Sequence, residues 1–310
     1  MHSFPYSSDN KRYHSFSYDT KKRYQTKVFK VGLNAPFTCP NRDGSKAYGG
    51  CTFCNALGSG DFQGTTSDDL MTQFEKGVAI QKQKWPNAKA IAYFQAFTNT
   101  YASLDILKGL YEPFIHHTDV IALSIATRMD CLDDDTIQYL ESLCSIKDVY
   151  LELGLQSIHE KTEKAMNRQE DFESFKKGFE RLKNSPLKCV IHLMNGYPNE
   201  THTMMIESAQ EVGKLLPYGV KIHMLNVLKD STLGKQYETE PFPLLSQESY
   251  ISIVLEQLAV LPPEVVILRL TGDGLEEELI EPKWILNKID VLNGIDKAMA
   301  AQNRFQGDRL

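Results

Sequence analysis

The sequence predicts an α/β protein built on a partial, TIM-like (β/α)6 barrel with N- and C-terminal extensions. Apolar strands rich in Val, Ile and Leu alternate with amphipathic helices along most of the chain, which is typical of parallel strands joined by right-handed crossovers. The chain has 310 residues, 42% of them hydrophobic, so it can bury one large core. An open, doubly wound sheet has the same local pattern, and periodicity does not separate the two folds.

Six strand–helix units can be followed in order. The first strand, residues 27–34, leads into a loop with three cysteines, and a helix over 65–85 ends at Pro86. The later strands are predicted at 89–97, 119–127, 149–156, 187–195 and 220–228, and the helices between them at 104–115, 133–143, 159–167, 172–182 and 203–216. A further strand at 264–270 and a terminal helix at 284–300 complete the chain.

The chain divides into a basic aromatic arm (1–26), the partial barrel (27–235) and a C-terminal extension packed on the barrel (236–310). Residues 1–30 carry seven Lys or Arg and two Asp, a local charge of +5 in a chain whose net charge is -6. Aromatic residues are interleaved with these bases. This composition suits phosphate pairing combined with base stacking, and it equally suits a tail whose rings pack on the barrel bottom. The sequence leaves both interpretations open.

Nothing in the sequence indicates a membrane segment. No apolar run reaches about 18 residues, and residues 1–13 lack the apolar core of a signal peptide. We therefore predict a cytoplasmic protein with no membrane partner. Three of the six cysteines, Cys131, Cys144 and Cys189, are scattered and are expected to be small buried side chains.

The other three cysteines lie close together in the loop after the first strand. Cys39, Cys51 and Cys54 have the spacing C-x11-C-x2-C in a stretch dense with Gly, Asn, Asp and Pro. Three thiolates occupy three corners of a 4Fe–4S cluster and leave one iron open, whereas a structural zinc site closes with four protein ligands. The nearest histidines, His14 and His116, are distant in sequence. An open iron–sulfur cluster is thus the preferred interpretation, with structural zinc as the alternative.

This loop resembles that of the radical S-adenosylmethionine (radical SAM) enzymes. The phrase CPNRDG…GGCTFC, with Phe53 before the last cysteine, is similar to the YtqA/YhcC-type subfamily, which is related to the Elongator catalytic subunit. The first gap is wider than the superfamily's common C-x3-C-x2-C. The resemblance implies a six-unit partial barrel, a 4Fe–4S cluster on the three cysteines and S-adenosyl-L-methionine as cofactor, cleaved to a 5'-deoxyadenosyl radical.

Polar residues at the carboxyl ends of the predicted strands should surround this loop, because such barrels place their sites on that face. The resemblance implies that adenosylmethionine is held by Phe53, Gln95, Thr98, Arg128 of TRMD, and Glu152 and Gln156 of ELGLQS. We expect four residues on and after strands five and six to face the substrate: His192, His223, Asn226 and Lys229. The turn RLTGDG, residues 269–274, matches a phrase of the subfamily and has no assigned role.

For substrate, the resemblance points to tRNA. The Elongator relatives modify the wobble uridine, and YtqA-type proteins resemble enzymes that convert a carboxymethylaminomethyl-uridine side chain to aminomethyl. Such an enzyme needs an electron donor of the flavodoxin or ferredoxin type. The alternatives are a radical SAM enzyme with a porphyrin or peptide substrate, a noncatalytic zinc-stabilised RNA-binding protein, and an electron-transfer protein.

Overall fold

A curled parallel sheet forms the centre of the protein. The computed structural model describes residues 4, 6, 11–56, 58, 67–272 and 274–310. Seven strands lie side by side in the order in which the chain makes them: β1 Val28–Leu33, β2 Lys89–Phe94, β3 Val120–Thr127, β4 Asp148–Gln156, β5 Lys188–Asn195, β6 Gly219–Met224 and β8 Val266–Arg269. The short strands β7 (Val227–Leu228) and β9 (Leu279–Glu281) form a separate antiparallel pair.

Every neighbouring pair in the large sheet is parallel, so the chain must cross back between strands. β1 pairs with β2 and β8 pairs with β6, and these two outer strands are not hydrogen-bonded to each other in the described part of the chain. The sheet is therefore a half-barrel that stays open on one side. This confirms the predicted partial barrel, with the additional strand at 264–270 present as β8.

The helices start where the sequence supplies capping side chains. Asp133, Asp171 and Thr201 each accept a hydrogen bond from a backbone N–H of the following first turn. Ten helices are described: α1 Phe16–Tyr24, α2 Leu70–Lys84, α3 Leu104–Ile115, α4 Asp134–Leu143, α5 Glu160–Ala165, α6 Phe172–Glu180, α7 His202–Lys214, α8 Thr232–Thr239, α9 Gln247–Val260 and α10 Lys288–Ala301.

The inner face of the sheet is layered. The lowest layer, near the amino ends of the strands, is a small apolar cluster of Ile91, Ala122, Tyr150 and Val190. Two residues further along each of four strands, the side chains become polar: Tyr93, Ser124, Glu152 and His192. The outer face carries the main core, where residues such as Leu123 and Leu151 pack against the helices. The charged layer therefore lies inside the barrel, above an apolar base.

The arm contains a helix that the sequence reasoning missed. Helix α1 closes the amino end of the sheet, where Phe16 packs edge-on against Tyr150 at 5.7 Å and the Tyr24 hydroxyl donates to Asp148 at 2.6 Å. Tyr13 is buried. The buried ring of Tyr13 is not accessible to bases, and the half-buried Phe16 and Tyr24 contact the sheet, which favours the packing interpretation for these three residues. Helix α1 lies at the opposite end of the strands from the cysteine loop.

Four predicted boundaries were wrong for local reasons. The helix at 65–85 begins at Leu70, because the Asp69 side chain caps it; Thr65 lies outside the described residues. The strand at 89–97 ends at Phe94, before a turn with Phe97 at φ +62°. The strand at 220–228 divides into β6 and β7, and the helix at 284–300 divides at Asn287, whose side chain caps α10.

No described helix has both the length and the apolar character that a membrane crossing requires.

Candidate active site

A cavity of about 510 Å³ opens at the carboxyl end of the half-barrel. This size is in the range of small-molecule sites. All three clustered cysteines line it, together with every other predicted site residue except one: Phe53, Gln95, Thr98, Arg128, Glu152, Gln156, His192, His223 and Asn226. Lys229 is the exception, because its side chain is exposed just beyond β7 and does not line the cavity. The RLTGDG turn contributes Arg269 and Gly272 to the wall.

Two side chains of the cysteine loop donate hydrogen bonds to the thiols. Arg42 Nη2 lies 3.3 Å from Cys54 Sγ, and Asn41 Nδ2 lies 3.6 Å from Cys51 Sγ. Gly50, at φ +81°, allows this arrangement, since a Cβ there would stand 3.0 Å from Arg42 Nε. Hydrogen bonds to the ligand sulfurs are one of the means by which proteins tune an iron–sulfur cluster. The sequence reasoning assigned no role to Asn41 or Arg42.

The loop fits an iron–sulfur cluster by its donor set. Its three half-exposed thiols line the mouth of one cavity, with an arginine beside one of them. Within the described ranges, no three His, Cys, Asp or Glu side chains converge as ligands of a single metal ion do. Cluster ligands each bind a different iron, so they need not converge on one point.

The scattered cysteines only partly fit the prediction that they are buried, because Cys189 is buried but Cys131 and Cys144 are half-buried. Burial raises the pKa of Cys131 and Cys189 to about 12 and that of Cys144 to about 11, so all three remain protonated thiols. A protonated thiol is a poor ligand and a poor nucleophile. Only the loop cysteines therefore have the environment of metal ligands.

A second loop, at residues 166–170 after α5, clamps the cysteine loop. Asn41 Nδ2 donates to the carbonyl oxygens of Asn167 and Arg168 at 2.7 and 2.9 Å. Asn167 Nδ2 donates to Gly50 O at 2.9 Å, and Asn167 itself has φ +54°. These contacts join segments more than 100 residues apart, so no local pattern predicts them. They hold the backbone between Cys39 and Cys51 in place.

Arg128 is held by hydrogen bonds to other residues of the protein, so its guanidinium does not extend far into the cavity. Its guanidinium makes a paired contact with Asp130, with Nε–Oδ1 at 2.8 Å and Nη2–Oδ2 at 2.7 Å, and Nη1 donates to Arg168 O at 3.0 Å. Burial acts to raise the pKa of Asp130, but Arg128 holds it well below its usual range. Arg128 thus braces the 166–170 loop while one edge of its side chain lines the cavity.

Gln156 stands at the end of β4 in an unusual backbone conformation. Its φ is +75°, and the pairing of β4 with β5 shifts register between Gly154 and Gln156. A Cβ at Gly154 would lie 3.1 Å from Gln156 Nε2, so the amide rests over the glycine. Bulges and left-handed non-glycine residues cluster at functional sites, where they redirect a side chain. Here the bulge turns the Gln156 amide toward the cavity rim.

The floor of the cavity is a buried charge cluster centred on Glu152. This carboxylate has no exposed side-chain surface and pairs with Lys30 on one oxygen and Lys221 on the other. Ser124 Oγ donates to it at 2.6 Å, and His192 Nε2 lies 3.0 Å away. Both lysine ammonium groups also lie over the ring of Tyr93, at 4.6 and 4.7 Å from its centre. Cation–π contact helps to hold both cations in place.

Burial and charge shift the pKa values on the floor. Burial acts to raise the pKa of Glu152, but Lys221 and Lys30 hold it well below its usual range. Burial lowers the pKa of His192 to about 4, and the charge of Lys221 acts in the same direction. His192 is therefore neutral at pH 7 and donates its Nε2 hydrogen to Glu152. Burial also lowers the pKa of His223, whose ring centre is 5.4 Å from that of His192.

A three-cysteine loop at the mouth of a half-barrel, above a polar cavity, defines a class of protein: an iron–sulfur enzyme that binds a small cofactor beside its cluster. Two protein-family models match the chain and agree with this class. The model described as Radical SAM superfamily matches residues 39–212, and that described as Radical_SAM C-terminal domain matches residues 217–301. The chain belongs to the radical SAM superfamily, which implies adenosylmethionine and a 4Fe–4S cluster as cofactors.

Individual relatives extend along nearly the whole chain. It is similar to YtqA of Bacillus subtilis (strain 168), with 45% identity over 98% of this chain and 94% of that protein. It is 32% identical to YhcC of Escherichia coli (strain K12), over 95% of this chain and 94% of that protein. The solved structure of archaeal Methanocaldococcus infernus Elp3, lacking its N-terminus, has a TM-score of 0.67 at 18% identity, covering 91% of this chain and 64% of that one. At this identity, the likeness to Elp3 concerns the fold.

Proposed function

We propose that this protein is a radical SAM enzyme that modifies the side chain of a tRNA wobble uridine, converting carboxymethylaminomethyl-uridine to aminomethyl-uridine. The observation that carries the proposal is that the cysteine thiols and the polar strand ends open on one cavity. Chemistry at the cysteine loop would therefore take place inside the barrel, against a substrate group that reaches down from the mouth.

The cysteines Cys39, Cys51 and Cys54 would hold the cluster. When bound, a reduced cluster supplies the electron that cleaves adenosylmethionine and so generates a radical able to remove hydrogen from an unactivated carbon. Gln95, Thr98 and Gln156 offer polar groups at the rim, and Phe53 offers an apolar surface for adenine. The buried walls of the half-barrel would keep water away from the reacting groups.

The choice of tRNA rests on the resemblance to the Elongator relatives. The position of helix α1 makes the cysteine loop a better candidate for RNA contact than this helix. Helix α1 lies at the far end of the barrel, so this helix is poorly placed to contact an RNA whose base enters the mouth. On the cysteine loop, however, Tyr48 is 79% exposed. An exposed aromatic ring near a cavity mouth suits stacking with a base. The electron would come from a flavodoxin- or ferredoxin-type protein.

The experiment is to reconstitute the protein anaerobically with iron and sulfide, reduce it with adenosylmethionine present, and add tRNA that contains carboxymethylaminomethyl-uridine. We expect aminomethyl-uridine in the digested tRNA and a rise in deoxyadenosine. The Cys54→Ala variant should give neither product. If a porphyrin or a peptide stimulated deoxyadenosine formation while the tRNA remained unmodified, the result would instead support that substrate class.

A further inference from the structure

The floor of the cavity carries more positive than negative charge. Glu152 is the single carboxylate among the described residues that line the cavity, and it pairs with the buried Lys221 and with Lys30, whose side chain is 22% exposed and lies outside the cavity lining. Arg269 also lines the cavity, and its charge is one of those that lower the pKa of Lys221. With both ammonium groups protonated, the two lysines carry one positive charge more than Glu152 balances, and burial acts to lower the pKa of both. Burying uncompensated charge is costly, so such an excess calls for an anion.

One of the groups on this floor also has an unused hydrogen-bonding atom. The Nε2 atom of His223 is buried and has no hydrogen-bond partner among the described residues. His223 lines the cavity two residues after Lys221 on β6, so both side chains face the same interior space. The Lys221 side chain is 5% exposed. Buried polar atoms are nearly always paired in native proteins, which makes the orphan nitrogen a sign of a missing ligand.

The part of the floor around Glu152 lies below the rim where the cysteines lie, whereas His223, next to last in β6, stands nearer to the rim. Glu152 precedes the end of β4, at Gln156, by four residues, which corresponds to roughly 13 Å along the strand. Arg42 and Arg128 lie beside the cysteine loop and make contacts there, with Cys54 and Asp130. The excess charge on the floor thus faces the inner end of the cavity, beyond the space next to the cluster ligands.

We propose that Lys221 and His223, backed by Lys30, form an anion-binding site that takes a carboxylate of the substrate. This inference rests on the proposed function, since it names the part of the substrate that the floor recognises. An excess of one charge from the lysine pair matches a monoanion such as a carboxylate, and the depth of the site requires that the anion end a slender, flexible group. The carboxymethyl end of the proposed uridine side chain has both properties.

The test is binding of nucleosides to the full-length protein, measured by calorimetry without reductant. The probes are carboxymethylaminomethyl-uridine, its carboxamide analogue and inorganic phosphate. We expect the carboxylate to bind at least about tenfold more tightly than the carboxamide, since a charge-assisted hydrogen bond has that effect. Lys221→Met should abolish this preference. Lys177→Met, the same change on the exposed face of α6, should retain it.

Equal affinity for the carboxylate and the carboxamide in the wild-type protein would overturn the proposal, and this comparison needs no variant to fold. A preference that survives Lys221→Met would overturn it as well. Tight competition by phosphate would reassign the site to a phosphate group. Deoxyadenosine formation is measured separately and does not depend on these binding tests. A failed binding test would therefore refute the anion site without refuting the proposed radical chemistry.

Discussion

Glu152→Gln is the substitution that most directly perturbs the interior of this barrel. The amide is nearly the same size as the carboxylate but carries no charge. It would leave the ammonium groups of Lys30 and Lys221 inside the protein without the carboxylate on which both now depend. Hydrogen bonds from Ser124 and His192 end on the same two oxygens, so four partners lose a charged acceptor.

The size of the effect follows from this geometry. Removing one partner of a buried ion pair costs about 3–5 kcal/mol, because the other charge remains buried and unpaired. The lysines limit the loss, since either can release its proton: burial already lowers the pKa of both below the ordinary value. We therefore expect Glu152→Gln to lower the free energy of unfolding by about 3 kcal/mol at pH 7, near the lower end of that range.

The loss should also depend on pH with a definite sign. The Glu152 charge acts to raise the pKa of both lysines, so its loss in the variant lowers their folded-state pKa values further below those of the unfolded chain, where lysine titrates near about 10.4. Such groups bind more protons when unfolded, so the stability of the variant rises with pH. The difference between wild type and variant should accordingly shrink between pH 7 and pH 9.5.

Urea denaturation followed by far-ultraviolet circular dichroism measures both quantities. Glu160→Gln is a suitable control, because Glu160 forms an exposed pair with Lys164 and its loss should cost less than about 1 kcal/mol. Adding Lys221→Met to Glu152→Gln removes one unpaired cation and should restore part of the stability. A loss under about 1 kcal/mol for Glu152→Gln, or one that is equal at both pH values, would refute the reasoning.

Three further predictions concern the rim and the floor. Arg42→Met should lower the iron content after reconstitution and make the cluster's reduction potential more negative, because the cation beside Cys54 is lost. Arg42→Lys keeps the cation and should retain most of the iron content and of the potential. An unchanged potential in Arg42→Met would contradict this role of Arg42. Because the pKa of His192 is lowered to about 4, stability should fall by about 3 kcal/mol from pH 6.5 to pH 4, and His192→Gln should flatten this dependence in urea titrations. Tyr48→Ala should raise the KM for tRNA about tenfold, and an unaltered KM would exclude stacking there.

The sequence pattern predicted the strands and helices, and the family resemblance was needed to favour the partial barrel over an open sheet. Strands such as β3 and β4 are long and apolar, so their positions were clear from composition, and polar residues at their ends fell on one face as expected. The cysteine loop was identified by the spacing of its cysteines, by its turn-forming composition and by the family resemblance. Of the predicted residues near it, Gln156 lines the cavity, although the bulge that directs its side chain was not foreseen.

Glu152, His192 and His223 were predicted as site residues, but the charge cluster that they form with the lysines was not, because its members come from separate strands. Lys30, Glu152 and Lys221 lie on β1, β4 and β6, and only the closure of the sheet brings them together. A signal existed in β6: Lys221 and His223 alternate with apolar residues in a strand that is otherwise buried, which places both on one face. The helix α1 was missed for a different reason, since its aromatic residues were interpreted from charge and composition rather than from their fit against Tyr150.

The central claim is that the cysteine loop supports radical cleavage of adenosylmethionine. The most direct measurement is deoxyadenosine formation by the anaerobically reconstituted and reduced protein, compared with Cys54→Ala. We predict deoxyadenosine from the wild type and none from the variant, with both proteins showing the same circular dichroism spectrum. A wild-type protein that carries a full complement of iron and sulfide, is reduced, and still forms no deoxyadenosine with adenosylmethionine and the modified tRNA would contradict the claim.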